Sequence, residues 1–337
     1  MLQLISLRNF RSYEKGEFEL GERTLILGEN GSGKSNLVEA IYLLATGKSF
    51  RAQRDVEVIR YGEEFSILNF KFEINSEILN SQITITDRKK FEINGVGRRM
   101  VDFAGQMRAV MFGPQDMELV TGSPGVRRRY LDFVIGQKDR EYRRAALSYE
   151  KGLRQRNRLL DLIREGRAGR SQLFFWDRLL IKNGEYLTQK REEYLEDLAE
   201  YDKSVISEVR LKQYEVEEVA AGATLVGPHR DDFIINLNGR DVSKFGSRGE
   251  QRMMVWKLKQ KEIDYLSLDP FDSAQGRLAR DAQQEPVLLL DDIFSELDHK
   301  HRGEVIELVE NYGGQVIMTA ADEHLIPDST GFKIIRL

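Results

Sequence analysis

Eight consecutive residues, Gly28-Glu29-Asn30-Gly31-Ser32-Gly33-Lys34-Ser35, have the types and spacing that phosphate chemistry needs. They fit G-x-x-x-x-G-K-[ST]. Three glycines let backbone N–H groups turn toward a phosphate chain that a Cβ would crowd. Lys34 brings a point charge suited to β- and γ-phosphates, and Ser35 a hydroxyl suited to Mg²⁺. The eight residues Gly28, Glu29, Asn30, Gly31, Ser32, Gly33, Lys34 and Ser35 are expected to bind nucleotide as one loop.

A second constellation lies far along the chain. Val287-Leu288-Leu289-Leu290-Asp291-Asp292 is an apolar run ending in two carboxylates. A strand of this kind delivers an acid at its carboxyl end, where P-loop folds place Mg²⁺. Asp291 is expected to hold the metal, directly or through water, and Asp292 to orient an attacking water. The competing reading is that both acids cap the next helix. A third candidate is Ser247-Arg248-Gly249-Glu250-Gln251, ahead of the amphipathic residues Met253, Val255 and Leu258. A hydroxyl, a backbone N–H and a helix N-terminus can converge there on a γ-phosphate. Serine followed three residues later by Glu250 is equally an ordinary capping box.

These groups must be positioned by a scaffold. Thr24 to Leu27 reads as a short buried strand, and Leu37, Ile41 and Leu44 follow at helical spacing. A strand–loop–helix of this kind aims the helix N-terminus at the phosphates. Leu2, Leu4 and Ser6 share one face of an N-terminal strand, and Phe18 and Leu20 belong to a second. Residues 65–75 and 83–93 also alternate, and Asn94-Gly95 is a turn signal, so a β-rich layer is expected. The middle changes period. Tyr142, Ala146, Tyr149, Leu153, Leu160 and Ile163 fall at heptad spacing, with Arg156 in the skipped position. Trp176, Leu180, Leu187, Tyr194, Leu198, Tyr201 and Val205 form a second series, and Gly166 to Ser171 separates the two. An antiparallel helical hairpin with a reach of roughly 35 Å is expected. After Gly222 strands return at Phe233–Leu237, ending in Asn238-Gly239, then at Val287–Leu290, Val316–Met318 and Lys333–Ile335. Residues 269–285 read as a polar surface loop. The early loop and the late apolar strand must share one sheet. Residues 1–120 and 220–337 are therefore expected to form one discontinuous ATPase domain, interrupted by a helical arm at 121–219.

Composition narrows the class. The chain has 337 residues, no cysteine and a net charge of −4. Disulfides and thiolate chemistry are excluded. Four scattered histidines make no zinc site, and His229 is expected to be a structural hydrogen-bonder. With no long apolar run and no signal-peptide core at Met1 to Arg8, a cytoplasmic protein with no membrane partner is expected. Any polyanion contact must be local. From Arg127 to Arg170 there are fourteen Lys/Arg and six Asp/Glu. Two readings stand: these cations neutralise DNA phosphates, or they pair with residues 190–219, where ten acids face five bases. Three consecutive arginines, Arg127, Arg128 and Arg129, cannot all face one helix and are assigned to DNA.

Taken together the motifs resemble the SMC/RecF branch of ABC-type ATPases, and nearly the whole chain is similar to the RecF family of bacterial recombination mediators. The resemblance rests on Arg8-Asn9-Phe10-Arg11-Ser12-Tyr13, the phosphate loop, Ser123-Pro124 with Arg127 to Asp132, Arg156-Asn157 with Leu159-Leu160, Gly227-Pro228-His229-Arg230-Asp231-Asp232, and Phe245 to Arg252. It also rests on the short arm, where SMC proteins carry very long coiled coils. The implied fold class is α/β, a P-loop ABC-type ATPase head with a β-rich layer and an inserted short antiparallel helical arm. The resemblance implies ATP and Mg²⁺ as cofactors and an ATP-dependent homodimer. It implies binding to gapped, junction, single- and double-stranded DNA, and action with RecR and RecO to load RecA. Nucleotide would lie between subunits, facing Ser247, Gly249 and Glu250 of the other copy. Gln115 matches the Q-loop position that senses Mg²⁺ and γ-phosphate, and Ser295-Glu296-Leu297-Asp298 matches a D-loop. Thr319 stands where many ABC ATPases carry a switch histidine, and Asp292 where glutamate is usual. Slow hydrolysis, used as a switch, follows. A transporter subunit and an architectural DNA-bridging protein are the other readings. The first has no use for an inserted arm, and the two intact acids argue against the second.

Overall fold

The computed structural model describes residues 1–74, 77–267, 285–293, 299–322 and 331–337. They fall into two compact units, Met1–Asp116 with Lys259–Leu337, and Met117–Leu258. The expected loop at 269–285 and the D-loop residues lie almost entirely outside the described residues.

The first unit holds two sheets. One is parallel, in the order Lys333–Arg336, Arg23–Leu27, Val316–Ala320, Val287–Asp291, Ala109–Phe112. Every residue of Val287–Asp291, Val316–Ala320 and Ala109–Phe112 is buried. This is what near-continuous apolar runs produce when both faces of a sheet are covered. The second sheet is antiparallel, in the order Tyr13–Glu19, Leu2–Phe10, Ser66–Ile74, Glu77–Ile85, Lys89–Ile93, Val96–Arg98. Its core face carries Leu68, Phe70, Phe72, Ile83, Ile85, Phe91 and Ile93. Asn94 (φ 50°) and Gly95 (φ 75°) close a hairpin with both central residues left-handed, as the dipeptide predicts. The first strand departs from its expected face. Its register shifts between Leu2 and Leu4, so Leu2, Ile5 and Leu7 are buried while Leu4 and Ser6 are only half-buried. An irregularity of this kind moves every later side chain to the opposite face.

The second unit is mainly helical. Arg140–Arg164 and Phe174–Leu195 pack as the expected hairpin. The buried seam of the first arm helix is Tyr142, Ala145, Tyr149, Gly152, Arg156 and Leu160. Ala145 and Gly152 therefore replace Ala146 and Leu153 of the heptad reading. The second helix ends at Leu195, earlier than its apolar series suggests. Val205 is consequently 48% exposed rather than part of the seam. Residues 220–258, expected with the ATPase domain, fall in this second unit. Their bonds explain it. Strand Asp232–Ile234 pairs with Glu200–Asp202, Thr224 bonds Asn157 and Arg156, and the Leu258 carbonyl accepts the Tyr130 hydroxyl at 3.1 Å.

Candidate functional site

Strand Arg23–Leu27 feeds the phosphate loop, and helix Lys34–Thr46 leaves it. Gly31 (φ 88°) and Gly33 (φ 109°) take left-handed conformations that a side chain would strain. A Cβ on Gly33 would lie 2.9 Å from the Tyr13 hydroxyl and 3.0 Å from Ser12 Oγ. The helix carries no side-chain cap at its N-terminus, so its first N–H groups remain directed at the loop. The Lys34 ammonium is buried and donates to the carbonyls of Gly28 (2.6 Å) and Glu29 (2.9 Å). Ser32 Oγ is buried with no hydrogen-bond partner among the described residues.

The parallel sheet brings the late acids to this loop. Ser35 Oγ donates to Asp291 Oδ1 at 3.0 Å across 256 positions of sequence. Thr319, in the neighbouring strand and in register with Asp291, donates to the same Oδ1 at 2.9 Å. Asp291 is 5% exposed. Burial pushes its carboxyl pKa up, against the hydrogen bonds from Thr319 and Ser35, which hold it down. Asp292 follows with φ 49°, its backbone N–H donating to Thr319 Oγ1 at 2.9 Å.

The turn after the first strand braces the loop from above. Tyr13 donates its hydroxyl to the Gly33 carbonyl at 3.1 Å, and Asn36 donates to Ser12 Oγ at 2.9 Å. Arg11 grips the buried Glu39 of the loop helix through two bonds, 2.9 and 2.7 Å. Sequence reading missed these supports. The signal for Thr319 was present, as the one polar residue inside the apolar run Val316-Ile317-Met318-Thr319-Ala320.

The remaining candidates sit as follows. Gln115 is exposed in the short turn Pro114–Met117. Ser247, Arg248 and Gly249 are exposed at the start of helix Arg248–Ser267. Ser247 and Glu250 form the reciprocal capping box: the Ser247 N–H donates to Glu250 Oε2 (2.7 Å) and the Glu250 N–H to Ser247 Oγ (3.3 Å). The arginine triplet divides. Arg127 holds Asp232 through two bonds, 2.6 and 2.9 Å, and Arg128 donates to the Asp231 carbonyl at 2.7 Å. Arg129 is exposed, with no ion pair among the described residues. Three consecutive helical residues point in three directions, which is why only one is left for an external anion. His229 is a structural group. Its Nε2–H donates to the Thr224 carbonyl (3.0 Å), which can only accept, so Nδ1 accepts from the Tyr149 hydroxyl (2.8 Å).

The geometry suits a magnesium nucleotide. Asp291 Oδ1 is used by Ser35 and Thr319, and Oδ2 accepts no hydrogen bond from the described residues. No group of three or more His, Asp or Glu that could hold a metal ion occurs among the described residues. Mg²⁺ needs none, since it is held by one or two protein oxygens together with waters and the substrate's phosphates.

The profile described as RecF/RecN/SMC N terminal domain matches residues 1–335. A DNA replication and repair protein RecF of Moorella thermoacetica is 35% identical over 350 residues, covering 97% of this chain and 91% of that one. The chain belongs to the RecF family. A further RecF-family relative, of Shouchella clausii, is 33% identical over 92% of this chain and 90% of its own. The solved structure of "the recombination mediator protein RecF-ATP in RecFOR pathway" matches with a TM-score of 0.85 at 28% identity, over 99% of this chain and 95% of that one. An Smc head bound to the C-winged helix domain of ScpA matches with a TM-score of 0.51 at 16% identity, over 99% of this chain and 93% of that one, which shows a shared fold alone. The expected fold class, an ABC-type head with a β-rich layer and an inserted antiparallel helical arm, is that of this RecF-family chain. No helix among the described residues is long and apolar enough to cross a membrane.

Proposed function

We propose that this chain is an ATP-driven DNA-binding switch of recombinational repair and replication-fork maintenance, acting as a dimer from the cytoplasm. The observation that carries the reading is the 3.0 Å contact of Ser35 with Asp291, which brings the loop serine and the late acid together as a magnesium-nucleotide site requires. The family supports the rest.

Lys34 and the N–H groups of residues 28–35 bind the β- and γ-phosphates of ATP. Ser35 and Asp291 would hold Mg²⁺, and Gln115 would sense it. Bound there, the metal neutralises phosphate charge and orients the γ-phosphate. Asp292 orients the attacking water and accepts its proton. Ser247, Gly249 and Glu250 come from the second copy. The exposure of Ser247 and Gly249 suits a surface completed by a partner, and the capping box with Glu250 holds that loop in advance. Hydrolysis is slow and resets the dimer. Among the triplet Arg127, Arg128 and Arg129, Arg129 is the DNA contact, joined by the exposed Lys151 and Arg158 of the arm. The DNA is gapped or junction DNA, with single- and double-stranded parts, and RecR and RecO are the proteins with which the dimer loads RecA.

The test uses Asp292→Asn on gapped DNA. This variant should bind ATP normally, slow turnover by about 10²–10⁴ as for a lost general base, and hold DNA longer than wild type after an ATP chase. Release as fast as wild type, with ATP still bound, would leave ATP as a structural cofactor only.

A further inference from the structure

The Thr319 side chain bonds both acids. It is 1% exposed in a strand otherwise built of Val316, Ile317, Met318 and Ala320. Its Oγ1 donates to Asp291 Oδ1 at 2.9 Å and accepts the Asp292 N–H at 2.9 Å. A hydroxyl has one proton and two lone pairs, so it can do both at once. Asp292 sits at φ 49°, a left-handed conformation that non-glycine residues adopt rarely. The Thr319 bond holds the backbone there, at the point where the strand ends and the second carboxylate must leave its line.

We propose that Thr319 is a positioning residue that sets both acids with a single hydroxyl, fixing the metal-holding carboxylate of Asp291 and the backbone of the water-orienting Asp292 together. The inference rests on the magnesium-nucleotide reading of this site and deepens it. It separates hydrogen bonding from packing, because valine matches the shape of threonine without the hydroxyl.

Thr319→Val should slow ATP turnover at least about tenfold, the scale of one lost buried hydrogen bond. It should raise severalfold the Mg²⁺ concentration needed for half-maximal binding of a fluorescent ATP analogue, and leave binding in EDTA unchanged. In the nucleotide-free protein, the Asp292 amide should exchange its hydrogen faster. Thr319→Ser, which keeps the hydroxyl and loses the methyl, should restore all three. Should the valine variant fail to fold, Thr319→Ala carries the same comparison with serine. Wild-type turnover and Mg²⁺ requirement in Thr319→Val would overturn the proposal, as would a serine variant as impaired as valine. Wild-type protein that neither binds nor hydrolyses ATP would instead sink the nucleotide reading beneath it.

Discussion

Burial drives the His229 pKa down to about 4, against its hydrogen bond to the Thr224 carbonyl, which raises it. In the unfolded chain the imidazole titrates at about 6.5. Between those values the unfolded state binds more protons than the folded one, so stability rises with pH. The contribution is fully present above pH of about 6.5, is lost as pH falls toward about 4, and amounts to roughly 3 kcal/mol. Urea unfolding of wild type and His229→Gln should therefore show the wild-type advantage shrinking by about 2 kcal/mol between pH 7.5 and 5. An advantage independent of pH would mean that the ring is not held neutral. Legibility at this scale follows sequence distance. The phosphate loop could be read because its eight residues are contiguous and their spacing is the mechanism. Asp291 and Asp292 could be read because an apolar strand leads to them. The bonds of Thr319 to Asp291 and of Tyr13 to Gly33 span 28 and 20 positions, and no local pattern encodes such a pairing.

The arm shows what periodicity reveals of an element and what it hides. The hairpin was legible as two apolar series with a glycine-rich break. The seam was only partly so, because close packing selected small residues over large ones. A Cβ on Gly152 would meet Leu179 Cδ2 at 2.6 Å, so that position lies against the opposing helix. The charge question resolves unevenly. Arg156 is buried, hydrogen-bonding Asp177 (2.6 Å) and Thr224 (2.8 Å) and ion-paired with the buried Glu218 (2.7 Å). This cation belongs to the hairpin's own packing. Arg154 pairs with Glu150 and Arg164 with Asp161 on the surface, where such pairs contribute little. Arg156→Met would leave Glu218 as an uncompensated buried carboxylate and should cost about 3–5 kcal/mol. Adding Glu218→Gln should recover much of that, because the cost lies in the orphaned charge. The check is a double-mutant cycle by urea unfolding. A single-variant cost below about 1 kcal/mol would show that water reaches Glu218.

For the whole molecule, the sequence made the head and the inserted arm legible but placed the second boundary wrongly. Residues 220–258 look like returning α/β structure because they contain short strands and two-residue turns. Their pairing partners are Glu200–Asp202 and the arm helices, so they belong to Met117–Leu258. The boundary then falls within helix Arg248–Ser267, which follows Ser247 and ends in the unit that carries the phosphate loop. The proposed switch requires that ATP, and not ADP, joins two copies through Ser247. Light scattering in solution with no nucleotide, with ADP–Mg²⁺ and with ATP–Mg²⁺ tests this directly. The molar mass should double only with ATP–Mg²⁺. Lys34→Met should stay monomeric, since losing a charge-assisted contact weakens ATP binding by about 10- to 150-fold. Ser247→Arg should bind ATP and still stay monomeric. An unchanged mass for wild type in all three conditions, or ATP-driven doubling in Ser247→Arg, would contradict the account.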